Sequence, residues 1–473
     1  MTIALTLSII YTFILLFFCY KTGLLPLFRG SRHSHFQWTE KNIFLIEVMI
    51  FSVSLYLNLT FGIFNYSGDS AYFISVVNRL SGESHPFAGL YANSGIIYPP
   101  LFYYLYYPIS KFITGLHIPV SNESQAFIFC IKFPAIVCEF AMAYLLYRMA
   151  KRTLKKEQVI PVLLLTLLNP AFLFVTAFIS QVDAIYVFFV FLTVWLLYRH
   201  RLKSAYFAFA AGIMFKYQTI FITPVVFYAI IHDVFLHDFN WKKFWSNLLC
   251  GLTAIFSMFL CYLPFVWDHT NHAMYEGGLF SNFTNSVQSY GFASQNTYNL
   301  WTLLGYNFLS HELSFGPLTC HMWGTLFIIV IVILSMTAFC IYREDTGRLP
   351  LLATLLVSGT VCFATRMMPR YLYPAVILLI LAYVIRPTIP RFICAASFTI
   401  CFFLLTFSDY IIYPQWKFSN ELIWPKAVSM YFILCVAFLV YTIFREPYAT
   451  AQHLHRSSML KSNIFSFLSL SII

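Results

Sequence analysis

Asp69 lies in Tyr66-Ser67-Gly68-Asp69-Ser70-Ala71-Tyr72, directly after a long apolar run and before an amphipathic stretch. A partly desolvated carboxylate has its pKa raised toward neutrality and can act as a general base. The same residues also suit a helix N-cap. A second acid, Asp183, follows Ser180-Gln181-Val182 at the head of another apolar run. It can orient a substrate hydroxyl, help to hold a metal, or cap a helix. Lys216 stands between two short apolar runs, in Met214-Phe215-Lys216-Tyr217-Gln218. A buried ammonium is costly unless neutralised. The expectation is therefore either an anionic ligand such as a lipid phosphate, or an ion pair with Asp69 or Asp183. Arg366 and Arg370 share the short segment Thr365-Arg366-Met367-Met368-Pro369-Arg370-Tyr371. Guanidinium groups match phosphate oxygens in bidentate fashion, so this pair reads as an anion site or as headgroup anchors. Tyr98-Pro99-Pro100 stiffens the chain before an apolar run and reads as a helix start.

The elements that must position these residues are membrane helices. The chain has 473 residues, 60% of them hydrophobic and 10% charged, against about 25% charged in soluble domains. So few charges cannot cover a water-soluble fold of this size, and a spanning helix needs about 20 mostly apolar residues. Such runs fall at about 3–20, 42–64, 126–148, 158–178, 182–198, 245–266, 321–342, 349–364, 371–386, 390–408 and 427–444. Two shorter runs, 204–215 and 217–232, read as a half-length hairpin with Lys216 at its tip. The expected fold class is an all-α polytopic membrane protein of about 11–13 transmembrane helices. Its organisation reads as an N-terminal helix and cytoplasmic loop over 1–41, a transmembrane domain over 42–445, and a cytoplasmic tail over 446–473. The N-terminus lacks a basic n-region and a small-residue cleavage site, so its apolar run reads as a retained helix.

The net charge of +11 is the reflex signature of nucleic-acid binding. Here the bases sit in short loops between apolar runs, the positive-inside pattern, so no nucleic-acid partner is expected. Arg148 to Lys156, Arg199 to Lys203, Lys242 with Lys243, Arg343 with Arg348, and Arg386 with Arg391 mark one side as cytoplasmic. Two long loops, about 65–125 and 267–318, dominate the other side, and long ordered loops are usually functional. The apolar segment 100–115 must not cross fully, or the alternation of basic loops fails, so it reads as interfacial or re-entrant. Asp69, Asp183, Lys216, Arg366 and Arg370 then lie at one depth on the outer face. The eleven Cys are mostly single within apolar runs, without zinc spacing, and read as buried small hydrophobes.

The ordered set of these residues resembles the GT-C glycosyltransferases, with a likeness to bacterial membrane proteins related to the GPI mannosyltransferases. It runs over about 42–375. Asp69 is followed by Tyr98-Pro99-Pro100, Lys132 with Pro134, Leu168-Asn169-Pro170, Gln181 with Asp183, and Lys216 with Gln218. Asn296, Asn299, Leu300 and Trp301 come next, then Arg366-Met367 and Arg370-Tyr371. The resemblance implies inverting transfer of a hexose, mannose or glucose, from a polyprenyl-phosphate-linked donor to a glycan or lipid acceptor. The reaction would serve cell-envelope polysaccharide or glycolipid synthesis at the outer face of a bacterial plasma membrane. Carried over, Asp69 is the base; Lys216, Arg366 and Arg370 bind the donor phosphate. Gln181, Asp183, Tyr98, Asn296 and Trp301 line the substrate site.

The pattern departs from the family in three places. Ile97 stands where relatives often have Asp before Tyr-Pro-Pro, and Ser180 where they often have Gly. Met368-Pro369 replaces a His-Glu pair, which removes a candidate phosphate ligand and an acid. No cofactor and no metal are therefore expected. Two other classes compete. A flippase or transporter of lipid-linked glycans needs polar residues through the membrane depth, and the runs 321–342 and 427–444 are almost wholly apolar. An O-antigen or capsule polymerase shares the carrier, the large outer loop and the arginines, but the early outer Asp and Tyr-Pro-Pro argue against it.

Overall fold

The structure, a computed structural model, describes residues 2–22, 39–65, 70–82, 85–88, 90–92, 98–236, 239–268, 273–274, 282–284, 286, 290–412 and 423–446. Asp69, Ile97 and the tail beyond Glu446 lie outside the described residues. The chain forms an all-α polytopic bundle. Nine of its described helical stretches are long and apolar enough to cross a membrane, and four more are shorter and apolar.

The chain opens with α1 (Thr2–Lys21) and α2 (Glu40–Gly62). The loop expected to be the first outer one, about 65–125, contributes α3 (Ser70–Gly82) and α4 (Pro100–Gly115), which pack against each other. Pro99 and Pro100 open α4 as the Tyr-Pro-Pro motif implied. Then follow α5 (Gln125–Thr153), α6 (Val159–Leu167) and α7 (Pro170–Phe172), the last running into a π-helical turn, Leu173–Phe178. Asn169-Pro170 therefore breaks a span in its interior. Pro170 has no N–H to continue the ladder, and Asn169 Oδ1 accepts the orphan N–H groups of Ala171 and Phe172.

After α8 (Ala184–Tyr198) and α9 (Leu202–Phe215), the chain turns at Lys216 into a 3₁₀ stretch (Tyr217–Ile222), α10 (Thr223–Ile230) and a π turn (Ile231–Leu236). This corrects the half-length hairpin. The arm Tyr217–Leu236 has 20 residues and is long enough to span, while α9 alone is short. The sequence reading stopped too early because the polar His232 and Asp233 interrupt the apolar run. The remaining helices are α11 (Trp241–Val266), α12 (Leu300–Leu303), α13 (Cys320–Ile341), α14 (Leu349–Phe363), α15 (Tyr373–Ile385), α16 (Ile389–Phe407) and α17 (Ile423–Arg445).

α15 is the hub. Every residue from Tyr373 to Val384 is buried, and the helix packs against α5, α8, α14 and α16. A helix that is apolar all round belongs in such a core. By contrast α2, α11 and α13 leave most of their apolar surface open, with 28%, 22% and 28% of their most apolar windows buried. Surface of that kind calls for lipid.

The basic end of the bundle is more than a set of loop charges. Arg391 is fully buried and grips Glu446 through Nε (2.9 and 3.0 Å) and an NH2 bond of 2.6 Å, while NH1 reaches the carbonyls of Gly347 and Ala382. Arg348 pairs with Asp345 at 3.0 Å and donates to the carbonyls of Ile443 and Glu446. Arg386 joins Asp345 at 2.5 Å. Three of the cations read as marks of orientation thus lock α14, α15, α16 and the end of α17 together.

Candidate active site

Helix ends build the opposite pole. Asp183 stands at the head of α8, Lys216 at the tail of α9, and Arg370 in the 3₁₀ turn Pro369–Leu372 that leads into α15. Because α8 and α9 pack as a hairpin, residues 183 and 216 meet across it. Lys216 Nζ donates to Asp183 Oδ1, and the Arg370 Nε lies 3.8 Å from Asp183 Oδ2. The Asp183 side chain is fully buried; those of Lys216 and Arg370 are each 11% exposed. The ion-pair alternative for Lys216 is therefore the observed one, with Asp183. The capping alternative for Asp183 is not observed, since its side chain makes no cap bond.

A box of tyrosines surrounds the ammonium. Lys216 Nζ lies 5.3 Å from the ring centroids of Tyr186 and Tyr371 and 5.9 Å from that of Tyr98, within cation–π range. Tyr98 stacks on Phe102 of α4 at 4.2 Å and meets Tyr72 of α3 at 5.5 Å. The Tyr72 and Tyr103 hydroxyls share a 2.6 Å hydrogen bond, and Tyr91 donates to the Tyr98 carbonyl at 3.0 Å. Burial pushes the Tyr91 and Tyr103 phenols well above their usual range, so both stay neutral. The first outer loop is thereby packed onto the pole that carries Lys216.

Gln181 and Arg370 form the second side of the site. Arg370 NH1 donates to Gln181 Oε1 (2.8 Å) and to the Tyr410 hydroxyl (3.2 Å), and Gln181 Nε2 donates to the same hydroxyl at 3.1 Å. Tyr410 belongs to the π turn Ser408–Ile412 that ends α16. Its neighbour Asp409 accepts Asn296 Nδ2 at 3.0 Å. Asn296 also exchanges hydrogen bonds with Asn307 and adopts the left-handed region at φ 50°, so it pins the second outer loop one step away from the arginine.

Arg366 and Trp301 are placed differently. Arg366, at φ 62°, bonds through NH2 to His311 Nε2 at 2.5 Å, and its backbone N–H donates to Phe292. It is held by the second outer loop. Helix α13 comes so close to this segment that a Cβ at Gly324 would lie 3.1 Å from the Thr365 nitrogen. Trp301 is fully buried with Ala293 and Cys320, and its Nε1 donates to the Phe363 carbonyl at 3.0 Å. Where the resemblance implies a substrate-lining indole, the structure has this aromatic side chain as the core of its own loop.

Two intramembrane polar residues belong to the same half of the bundle. Lys132 of α5, noted in the sequence, is buried and donates to the carbonyls of Phe61 (3.2 Å), Phe64 (2.6 Å) and Ala177 (2.7 Å), which joins α2 and the π turn to α5. Glu139, two turns further along, went unremarked. Its Oε1 accepts from the Thr176 and Tyr373 hydroxyls. The signal for it was present, because an ionisable residue inside an apolar run is unusual.

What the assembled pole offers is buried positive charge of the kind that suits an anion. Two cations meet one carboxylate within a tyrosine wall at the end of a helix bundle, next to an amide that orients one of the cations. Residues 108–265 match the family described as dolichyl-phosphate-mannose-protein mannosyltransferase. The stretch runs from within α4 to the end of α11 and includes Gln181, Asp183 and Lys216, while Arg366 and Arg370 lie beyond it. No curated protein matches the chain. The family match, on a polytopic helical bundle, supports a membrane glycosyltransferase of the GT-C superfamily.

Proposed function

We propose that the chain transfers a hexose, mannose or glucose, from a polyprenyl-phosphate carrier to a hydroxyl of a glycan or lipid acceptor. The reaction takes place at the extracytoplasmic face and inverts the anomeric centre. The observation that carries this reading is the meeting of Lys216, Asp183, Arg370 and Gln181 at one end of the bundle, three of them inside the stretch that matches the mannosyltransferase family.

In the proposed reaction Asp69 takes the proton of the acceptor hydroxyl as its oxygen attacks the anomeric carbon. The bond from that carbon to the carrier phosphate breaks on the opposite face, and polyprenyl phosphate leaves. Lys216 and Arg370 stabilise the charge that grows on the leaving phosphate, an electrostatic role that works best in a dry, preorganised site. Arg366, tethered to the second outer loop through His311, adds a third cation. Asp183 and Gln181 hold Lys216 and Arg370 in position, and Tyr98 walls the site. Asp69 precedes Ser70, whose hydroxyl accepts from Asn65 at 2.8 Å. Tyr72, on the following turn, packs on the Tyr98 ring beside Lys216. The assignment of Asp69 as base rests on its position in the sequence between α2 and α3 and on the family resemblance. A bacterial plasma membrane and a role in envelope polysaccharide or glycolipid synthesis complete the reading.

Asp69→Asn removes the base while keeping size and polarity. Transfer from a labelled polyprenyl-phosphate hexose should fall roughly 10²–10⁴-fold, with the thermal transition of the purified protein unchanged. Full activity in this variant would remove Asp69 from the mechanism.

A further inference from the structure

At the basic end of the bundle, His200, His232 and Asp233 converge. Asp233 Oδ1 lies 2.9 Å from His200 Nδ1 and 2.7 Å from His232 Nδ1, and the three candidate ligand atoms are all within 4.8 Å of one another. His200 sits in the turn between α8 and α9 with φ 54°, a left-handed conformation that fixes its direction. His232 and Asp233 lie in the π turn after α10. Glu344, on the turn after α13, has its Oε2 3.8 Å from His232 Nε2. A small cavity borders the cluster, lined by His232, Asp233, Tyr342, Asp345 and Thr346 among others.

We infer that this cluster is a site for a divalent transition-metal ion of the zinc type, remote from the sugar-transfer pole. Two imidazoles and one carboxylate are a donor set that zinc accepts, with water in the fourth position. Metal–ligand distances of about 2.0–2.2 Å in a tetrahedron put the ligand atoms roughly 3.3 Å apart. The present nitrogen–oxygen distances are shorter because each Nδ1 shares a hydrogen with the carboxylate. Zinc takes the place of those protons, lengthens the two contacts to the carboxylate by about half an ångström and draws together the two imidazoles, whose ligand atoms now lie within 4.8 Å of each other. With Nδ1 of His232 on the ion, Nε2 faces Glu344, which is the carboxylate–histidine–metal arrangement that fixes ring orientation. The bordering cavity offers room for the water ligand. The nearby cations are engaged: Arg348 with Asp345 and two carbonyls, Arg343 with Glu344 at 3.5 Å.

The placement gives the ion a mechanical role. α8 carries Asp183 at one end and His200 at the other. The arm Tyr217–Leu236 starts next to Lys216 and ends with His232 and Asp233. A metal at the basic end clamps the two helices whose other ends hold the Lys216–Asp183 pair.

The test uses the full-length protein in detergent, tag removed and metal stripped, titrated with Zn2+ against a chromophoric chelator. Wild type should bind one more Zn2+ per chain than His200→Ala, a change at a side chain that is 36% exposed. Zn2+ should raise the thermal transition of wild type and not that of the variant. Glu344→Gln, on an exposed side chain, should keep the stoichiometry and weaken affinity by about tenfold. Equal stoichiometry and affinity in wild type and His200→Ala would overturn the proposal and leave Asp233 as a carboxylate that only ties two histidines together. If His200→Ala fails to fold, an unchanged affinity in Glu344→Gln is the overturning result.

Discussion

Lys216→Met should abolish most transfer activity, by at least about 100-fold, comparable to loss of one preorganised charge-stabilising donor. The variant also has a structural cost, because it leaves the fully buried Asp183 carboxylate without the ammonium that donates to it. Removing one member of a buried pair costs about 3–5 kcal/mol. The two effects separate in a double variant. Lys216→Met with Asp183→Asn removes both charges and should recover most of the thermal stability, yet it should stay inactive, because no cation at position 216 meets the leaving phosphate. Lys216→Arg should keep partial activity, since charge is retained but the compact ammonium that fits among Tyr98, Tyr186 and Tyr371 is not. A fully active double variant would reduce Lys216 to a structural residue.

The second large effect belongs to the opposite end. Arg391→Met should destabilise the protein by about 3–5 kcal/mol, the cost of stranding a buried carboxylate. Glu446 loses the bidentate grip of Arg391 and retains Thr388 at 2.8 Å and Arg386 at 3.6 Å. The Gly347 carbonyl loses the guanidinium donor as well, and that of Ala382 keeps the backbone N–H of Arg386. The readout is the thermal transition and the monodisperse fraction in detergent. Adding Glu446→Gln to Arg391→Met should recover part of the loss, and the double-mutant cycle gives the coupling. The specific activity of the folded fraction should stay near wild type, because these residues lie at the pole away from Lys216. A stable Arg391→Met single variant would contradict the locking role.

The spans were legible because apolar length is a one-dimensional property: the apolar runs named from sequence correspond to the helices that the structure describes. Interruptions within a span were less so. Asn169-Pro170 falls inside the run 158–178, and only the helix that resumes at Pro170 shows it as an internal break. His232 and Asp233 read as the close of a short arm, although the helical stretch runs on through them. Partners distant in sequence were invisible. Arg391 needs Glu446, 55 residues on, and Arg370 needs Gln181, 189 residues back. Charges first seen as marks of orientation thus proved to be locks. At the candidate site, residue type and helix-end position singled out Asp183, Lys216 and Arg370, the family resemblance added Gln181, and these four do converge. The resemblance also put Trp301 in the substrate site, whereas the structure buries it in a small loop core, and burial of that kind leaves no trace in composition. Tyr186 and Tyr410 were missed, and Tyr371 was noted only as part of the Arg370-Tyr371 motif, because tyrosine is so common in this chain, at 32 residues, that no single one stands out.

The most direct test of the anion-binding pole is equilibrium binding of radiolabelled polyprenyl phosphate to the purified protein, with Lys216→Met, Arg370→Met and, as a control, Arg391→Met beside wild type. The expected result is saturable binding to wild type that a polyprenyl-phosphate hexose competes away. Binding should weaken at least about tenfold in the first two variants and stay unchanged in the folded fraction of the third. Equal affinity across all four proteins, or binding that no sugar donor displaces, would contradict a phosphate site built from Lys216 and Arg370.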